Sequence, residues 1–236
     1  MKISLKKCLA GLAVFCLLFL CQAVKANETE DLKAQIYSKI KCCNCSEPFA
    51  QCACPEAKQI KGYIDALIDT GVSKEDIFYK LGNKFTVKII TDPQIKASVE
   101  RKIIAEAGEN RPQVVLDPVS FDFGDVSKKQ GKSNKTFKVF NKGKENLVIK
   151  DLRTSCPCTI VALDVHGVKS PYFETKGAPA GWQAEIKPGE AAQLDVILDL
   201  LSPHVKTGEV IRDVTIKSND PLYPEVTVIV KAKVSD

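Results

Sequence analysis

The chain changes its hydrophobic period once, near Arg111-Pro112, and that change constrains the fold more than any other feature. Before it, Leu32, Ile36, Tyr37 and Ile40 recur at helical spacing, and so do Ala57, Ile60, Ile64, Leu67 and Ile68. After it, Phe121 and Phe123 alternate, as do Phe137 and Val139, Val210 to Ile216 through Arg212 and Val214, and Val226, Val228 and Val230. Helices followed by strands predict an α+β chain of two domains, which suits the length of 236 residues.

Local punctuation refines this. Pro55 fits the first turn of one helix and Gly71 its end, while Ser73 with Asp76 caps the next. An extended Thr86 to Ile90 segment follows, ending at Asp92-Pro93. Residues 94–112 begin with helix-favouring composition but an irregular apolar face, which predicts a helical linker. Turn signals at Asn141-Lys-Gly143, Pro188-Gly189 and Asn219-Asp220-Pro221 separate about seven short strands, as in an antiparallel sandwich. Residues 165–183, with the single tryptophan Trp182, lack clean periodicity and predict a long loop.

The amino terminus predicts export. Lys2, Lys6 and Lys7 precede an apolar run from Cys8 to Cys21, and Val24-Lys25-Ala26 offers a cleavage site before Asn27. The run is shorter than the ~18 to 20 residues of a membrane-spanning helix. Residues 1–26 are therefore read as a removed signal, and the mature chain as periplasmic or otherwise exported, without membrane association. Lys2, Lys6, Lys7 and Lys25 account for four of the 34 basic residues, against 29 acidic ones, so the mature balance is about +1. That is no footprint for nucleic acid.

Cysteines then dominate the chemistry. Of ten, Cys8, Cys16 and Cys21 leave with the signal, and seven remain. Cys42, Cys43, Cys45, Cys52 and Cys54 crowd KCCNCSEPFAQCAC, and Cys156 and Cys158 sit in TSCPCT. Bridges between such near neighbours gain little from loop closure, which points to thiol chemistry or metal binding. An odd number in an exported chain means that at least one is unbridged, bridged to another molecule or a metal ligand. Cys42 and Cys45 form C-x-x-C, a spacing used by dithiol–disulfide sites and by metal sites alike. Lys39 and Lys41 adjoin the pair and would favour a thiolate. Ser46 stands where covalent haem attachment would need histidine.

KCCNC, followed by CPEAKQIKGYIDALIDTGVSKEDIFYKLGNKFTVKIITDP, resembles the CcmH/NrfF/CycL family of cytochrome c maturation proteins across residues 32–93. The resemblance implies a small three-helix bundle over residues 27–93 with Cys42 and Cys45 as its catalytic redox pair. It also implies an apocytochrome c or a thioredoxin-like protein as partner. The chain departs from the family pattern at Lys41 and Ser46, and in its additional Cys43, Cys52 and Cys54. These three sulfurs permit either a resolving relay or a thiolate site for copper or zinc.

A second resemblance covers residues 114–235. VSFDFGDV, the Phe140-Asn141-Lys-Gly143 turn, SCPCT, the Pro188-Gly-Glu190 turn and SNDP occur in the order seen in an Ig-like family catalogued as domain of unknown function fifteen-seventy-three. It implies an Ig-like antiparallel β-sandwich over residues 113–236 and no activity. Residues two apart in a strand are ~6.5 to 7 Å apart, at the limit for a disulfide, but Pro157 suggests an edge or turn where Cys156 and Cys158 can converge. The pair is then a candidate for a labile bridge, a resolving role or soft-metal ligation. His166 receives no role.

Gly-rich phosphate loops, Gly-x-Ser-x-Gly elbows and His-Glu-x-x-His motifs are absent, so nucleotide-dependent and hydrolytic chemistry have no support. The expected function is thiol–disulfide exchange in cytochrome c maturation, with no cofactor. Soft-metal binding or delivery, and a non-catalytic interaction module with structural disulfides, stand as alternatives.

Overall fold

A computed structural model describes residues 27–42, 45 and 47–236. The signal-peptide reading of residues 1–26 and any role for Cys43 lie outside the described residues. The chain divides into two compact units, Met1–Val99 and Glu100–Asp236.

The first unit contains helix α1 over residues 27–37, α2 (Pro55–Asp69) and α3 (Lys74–Phe85). Ile36 and Ile40, Ile60 and Ile64, and Ile77, Phe78 and Leu81 are all buried, so the apolar stripes of the three segments form the core. Ser73 caps α3 by accepting the Asp76 N–H at 3.2 Å. Past α3 the chain forms a 3₁₀ turn, Val87–Ile89, where an extended segment was expected. Val87 and Ile89 are buried there, and Ile90 bridges antiparallel to Ile40.

The expected three-helix bundle is corrected by a fourth helix, α4 (Pro93–Ala107), in which the division between the units falls. The Asp92 carboxylate accepts the N–H groups of Gln94 and Ile95 at 3.0 and 3.2 Å, and Pro93 pre-sets the first turn. With a cap and with Val99 and Ile103 buried, residues read as a helical linker form a regular helix.

The second unit is a sandwich of two five-stranded sheets. One runs β1 (Val114–Asp117), β3 (Lys132–Asn141), β8 (Ala191–Asp199), β5 (Thr159–Val165) and β6 (Val168–Lys169). The other runs β2 (Ser120–Ser127), β10 (Glu225–Ser235), β9 (Gly208–Ser218), β4 (Leu147–Thr154) and β7 (Ala184–Ile186). The expectation of a wholly antiparallel sandwich is also corrected, because β2 pairs parallel with β10, Phe121 opposite Val230. Period-two alternation fixes which face a strand buries and is blind to the direction of its neighbour. Phe137, Val139, Leu147, Leu152, Leu194, Val196, Ile216 and Val228 fill the main core. A smaller cluster gathers Val126, Leu198, Leu200, Val210 and Val234 around Cys158.

Two sequence motifs prove to be backbone anchors. Asn141 is fully buried, accepts N–H groups from Gln113 and Gly143 and donates to the carbonyls of Glu145 and Ile186, at 2.7 to 3.3 Å. Gly143 is required there, since a Cβ would lie 2.1 Å from the Arg111 carbonyl oxygen. Asp220 likewise anchors the Asn219-Asp220-Pro221 turn, accepting the N–H groups of Val114 and Leu222.

Candidate functional site

The sulfurs of Cys42, Cys45, Cys52 and Cys54 lie within 4.8 Å of one another. Three local structures bring them together. Cys42 follows a short bridge in which the Lys41 N–H reaches the Ile89 carbonyl at 2.8 Å and the Thr91 N–H reaches that of Lys39 at 2.9 Å. Cys52 closes a tight turn, its N–H bonded to the Pro48 carbonyl at 3.1 Å. Cys54 is the N-cap of α2, where its sulfur accepts the Ala57 N–H at 3.3 Å.

Lys61, in the second turn of α2, clamps the loop by donating to the carbonyls of Ala50 and Cys52 at 2.8 and 2.9 Å. Its ammonium also stands 5.5 Å from the Phe49 ring centroid. A Lys61→Met variant is expected to keep the stem and lose both carbonyl contacts, so that Zn(II) added to the chain is bound about tenfold more weakly than by the parent if the sulfurs are its ligands, in the range of second-shell effects. Isothermal titration of the variant against the parent chain measures this.

Cys42 and Cys52 are each only 1% exposed, whereas Cys45 and Cys54 are half-buried on the rim. The Cys42–Cys54 and Cys52–Cys54 sulfur separations are 3.4 and 3.5 Å. The expected redox pair, Cys42 and Cys45, is thus not an isolated couple. Cys42 contacts Cys54 and points to Glu56 Oε2 at 3.8 Å, and all four sulfurs share one pocket. Four thiolates at the Zn–S distance of ~2.3 Å define a tetrahedron with edges of about 3.8 Å. The cluster already approaches those edges.

The electrostatics divide the sulfurs. The Ala57 N–H at the start of α2, then the contact with Cys42, lowers the Cys54 thiol to about 7. Hydrogen bonds to Cys52 and then Cys54 push the Cys45 thiol far up, so it holds its proton beside the readier anion. Lys39, expected to stabilise a thiolate, is engaged elsewhere, 2.8 Å from Asp92 Oδ2, and that contact holds the Asp92 carboxyl down. Sequence reasoning missed Lys61 and the capping role of Cys54. The CP dipeptide that opens α2 was the signal for the latter, because Pro at the first helical position places the N-cap one residue earlier.

Cys156 and Cys158 lie apart from this cluster along the chain, in the turn between β4 and β5, and are bridged to one another with their Cα atoms 5.2 Å apart. Cys158 is buried, Cys156 half-buried and Pro157 exposed. His166 contacts Glu190 at 2.8 Å, an exposed pair.

Fold and sites together define a chain with a helical unit carrying a four-cysteine cluster and an Ig-like sandwich. The family described as Protein of unknown function (DUF1573) matches residues 114–170. No curated protein matches the chain. Among solved structures, a protein of unknown function from Porphyromonas gingivalis W83 is 20% identical over 53% of this chain and 49% of its own, with a TM-score of 0.40. This chain therefore spans about half the length of that protein. The PapD-like domain 7 of human CEP192 is 9% identical over 55% of this chain and 89% of that one, with a TM-score of 0.36. The YadV chaperone is 12% identical over 52% of each chain, with a TM-score of 0.34. Likenesses this distant carry no inference about activity or partner. The resemblance of the helical unit to CcmH-type domains rests on its sequence motifs alone. No helix among the described residues is long and apolar enough to cross a membrane.

Proposed function

We propose that this is an exported thiolate metal protein in which Cys42, Cys45, Cys52 and Cys54 hold one Zn(II) and thereby organise the helical unit. The convergence of four sulfurs, two buried and two on the rim, within 4.8 Å supports this reading more than any other observation. A closed four-thiolate set favours zinc in a structural role, since catalytic zinc keeps a position open for water. Cu(I) shares the soft-ligand preference and is the competing ion.

The test is metal analysis of the full chain after reconstitution with Zn(II) or Cu(I). One zinc per chain is expected. Binding displaces thiol protons, so affinity must rise with pH. Above about pH 7 Cys54 has already released its proton, and below that it has not. Binding therefore releases one more proton on the acid side, and affinity is expected to fall about tenfold more steeply per pH unit there. Competition titrations with a chromophoric chelator between pH 6 and 8 measure the slope.

Thiol exchange of the CcmH type remains the second reading, favoured by the lowered Cys54 thiol at a helix N-terminus. In it, a thiolate of the cluster attacks a disulfide of an apocytochrome or a thioredoxin-like partner. A chain that takes up no metal and exchanges disulfides through Cys42 and Cys45 would establish this reading instead.

A further inference from the structure

Strand β9 buries Val210, Val214 and Ile216 on its inward phase, and Arg212 occupies the same phase between them. An arginine at an inward position of a strand flanked on both sides costs desolvation unless its donors are used. Three of the five are engaged: Nη1 donates to the Ile211 carbonyl at 2.8 Å and Nη2 to that of His204 at 3.1 Å. The third, Nε, donates to Cys158 Sγ from 2.9 Å. The guanidinium is pinned by two backbone carbonyls and delivers its charge to one sulfur of the bridge.

The surrounding turn is equally fixed. Thr154 Oγ1 shares its one proton between the carbonyls of Cys156 and Thr159, Ser155 and Asp213 exchange two hydrogen bonds, and the Asp199 N–H holds the Cys158 carbonyl at 2.8 Å. The Cys158 N–H reaches Cys156 Sγ at 3.3 Å. Two sulfurs in one bridge thus have opposite surroundings. Cys156 is half-buried behind the exposed Pro157, and Cys158 is 1% exposed against a cation.

We propose that the Cys156–Cys158 bridge is a disulfide donor for exposed dithiols, with Cys156 the sulfur attacked and Cys158 the leaving group. A visiting thiolate attacks Cys156 Sγ, forming a mixed disulfide and breaking the bridge. The electron pair of that bond goes to Cys158, whose thiolate forms beside Arg212. The visitor's second thiol, having lost its proton to solvent, attacks its own bridged sulfur and releases the Cys156 thiolate, which accepts a hydrogen bond from the Cys158 N–H. Two electrons pass from the visitor to the pair, and the visitor leaves oxidised, so the step balances with the visitor's dithiol as the only reductant. A lower leaving-group pKa speeds exchange, and a cation in contact supplies that lowering. A bridge spanning three residues gains little loop-closure stabilisation, so reduction meets little entropic resistance. This inference is independent of the metal site.

The test uses the full chain and a peptide with one cysteine, quenched in acid and mapped by mass spectrometry. The adduct is expected on Cys156, with Cys158 as a thiol; an adduct on Cys158, or no adduct, overturns the proposal. With a two-cysteine peptide, Arg212→Met is expected to slow peptide oxidation about tenfold or more, and Arg212→Lys to recover most of the rate. In the reduced chain, Arg212→Met should also move the alkylation of Cys158 to higher pH, which a purely structural arginine would not do. An unchanged rate and pH profile in a folded Arg212→Met chain overturns the role of the cation. The mapping on the parent chain decides the direction of attack even if that variant fails to fold.

Discussion

A Cys52→Ser chain is expected to bind zinc at least about 100-fold more weakly than the parent, beyond the range of outer-shell substitutions. Cys52 is the severest place to remove a ligand. It is 1% exposed, so serine leaves a buried hydroxyl that is a poor zinc ligand, and solvent cannot easily supply a replacement. Its carbonyl is still held by Lys61 and its N–H by Pro48, so the backbone remains in place and the lost affinity reports the sulfur. Zinc binding by structural four-ligand sites is worth on the order of 10 kcal/mol. Chelating the metal from the parent chain should therefore melt the helical unit at markedly lower temperature, and the Cys52→Ser chain should resemble the chelated parent. Chelator competition and circular dichroism melts check both. A double Cys156→Ser, Cys158→Ser chain should keep the parent's affinity.

The second large effect lies in the sandwich. Asp220 is fully buried, and its carboxylate accepts the N–H groups of Val114 and Leu222 at 2.9 Å and of Tyr223 at 3.3 Å. Arg111, itself only 15% exposed, stands 3.6 Å away as the counter-charge. Asp220→Ala leaves three backbone donors and a largely desolvated guanidinium without this acceptor. Breaking a buried pair in this way costs about 3 to 5 kcal/mol, which lowers Tm by roughly 10 °C or more for a unit of this size. Asp220→Asn keeps one acceptor oxygen and should fall between parent and alanine. Thermal melts of the three chains measure the series, and a loss below about 1 kcal/mol in Asp220→Ala would contradict the anchoring role. The motif that makes the sandwich recognisable in sequence thus serves folding, which is why it predicts a fold and no activity.

Much of the architecture was legible because local physics wrote it. Pro55, Gly71 and Ser73 mark helix ends through fixed φ, a left-handed turn and a capping oxygen, and α2 and α3 lie where those residues put them. Strand alternation likewise placed Phe137, Val139, Val214 and Val228 in the core. The fourth helix was not legible as an element of its own, because its buried face is narrow, and the parallel β2–β10 pair was hidden because alternation carries no strand direction.

The candidate sites divide in the same way. Sequence gathered the sulfurs and singled out Cys42 and Cys45 from their spacing and from the family resemblance. The fold adds the α2 N-terminus, and with it Cys54 becomes the most acidic of the shifted thiols. Arg212 lies 54 residues from Cys158, so no spacing argument reaches it. Its one trace in the sequence is a charge at an apolar phase of β9.

The most direct measurement is zinc K-edge X-ray absorption on the full chain reconstituted with one equivalent of zinc. Four sulfur scatterers at about 2.3 Å, with no nitrogen or oxygen shell, are predicted. A shell of nitrogen or oxygen neighbours, or a chain that holds no zinc while Cys42 and Cys45 are bridged to each other, would contradict the four-thiolate site.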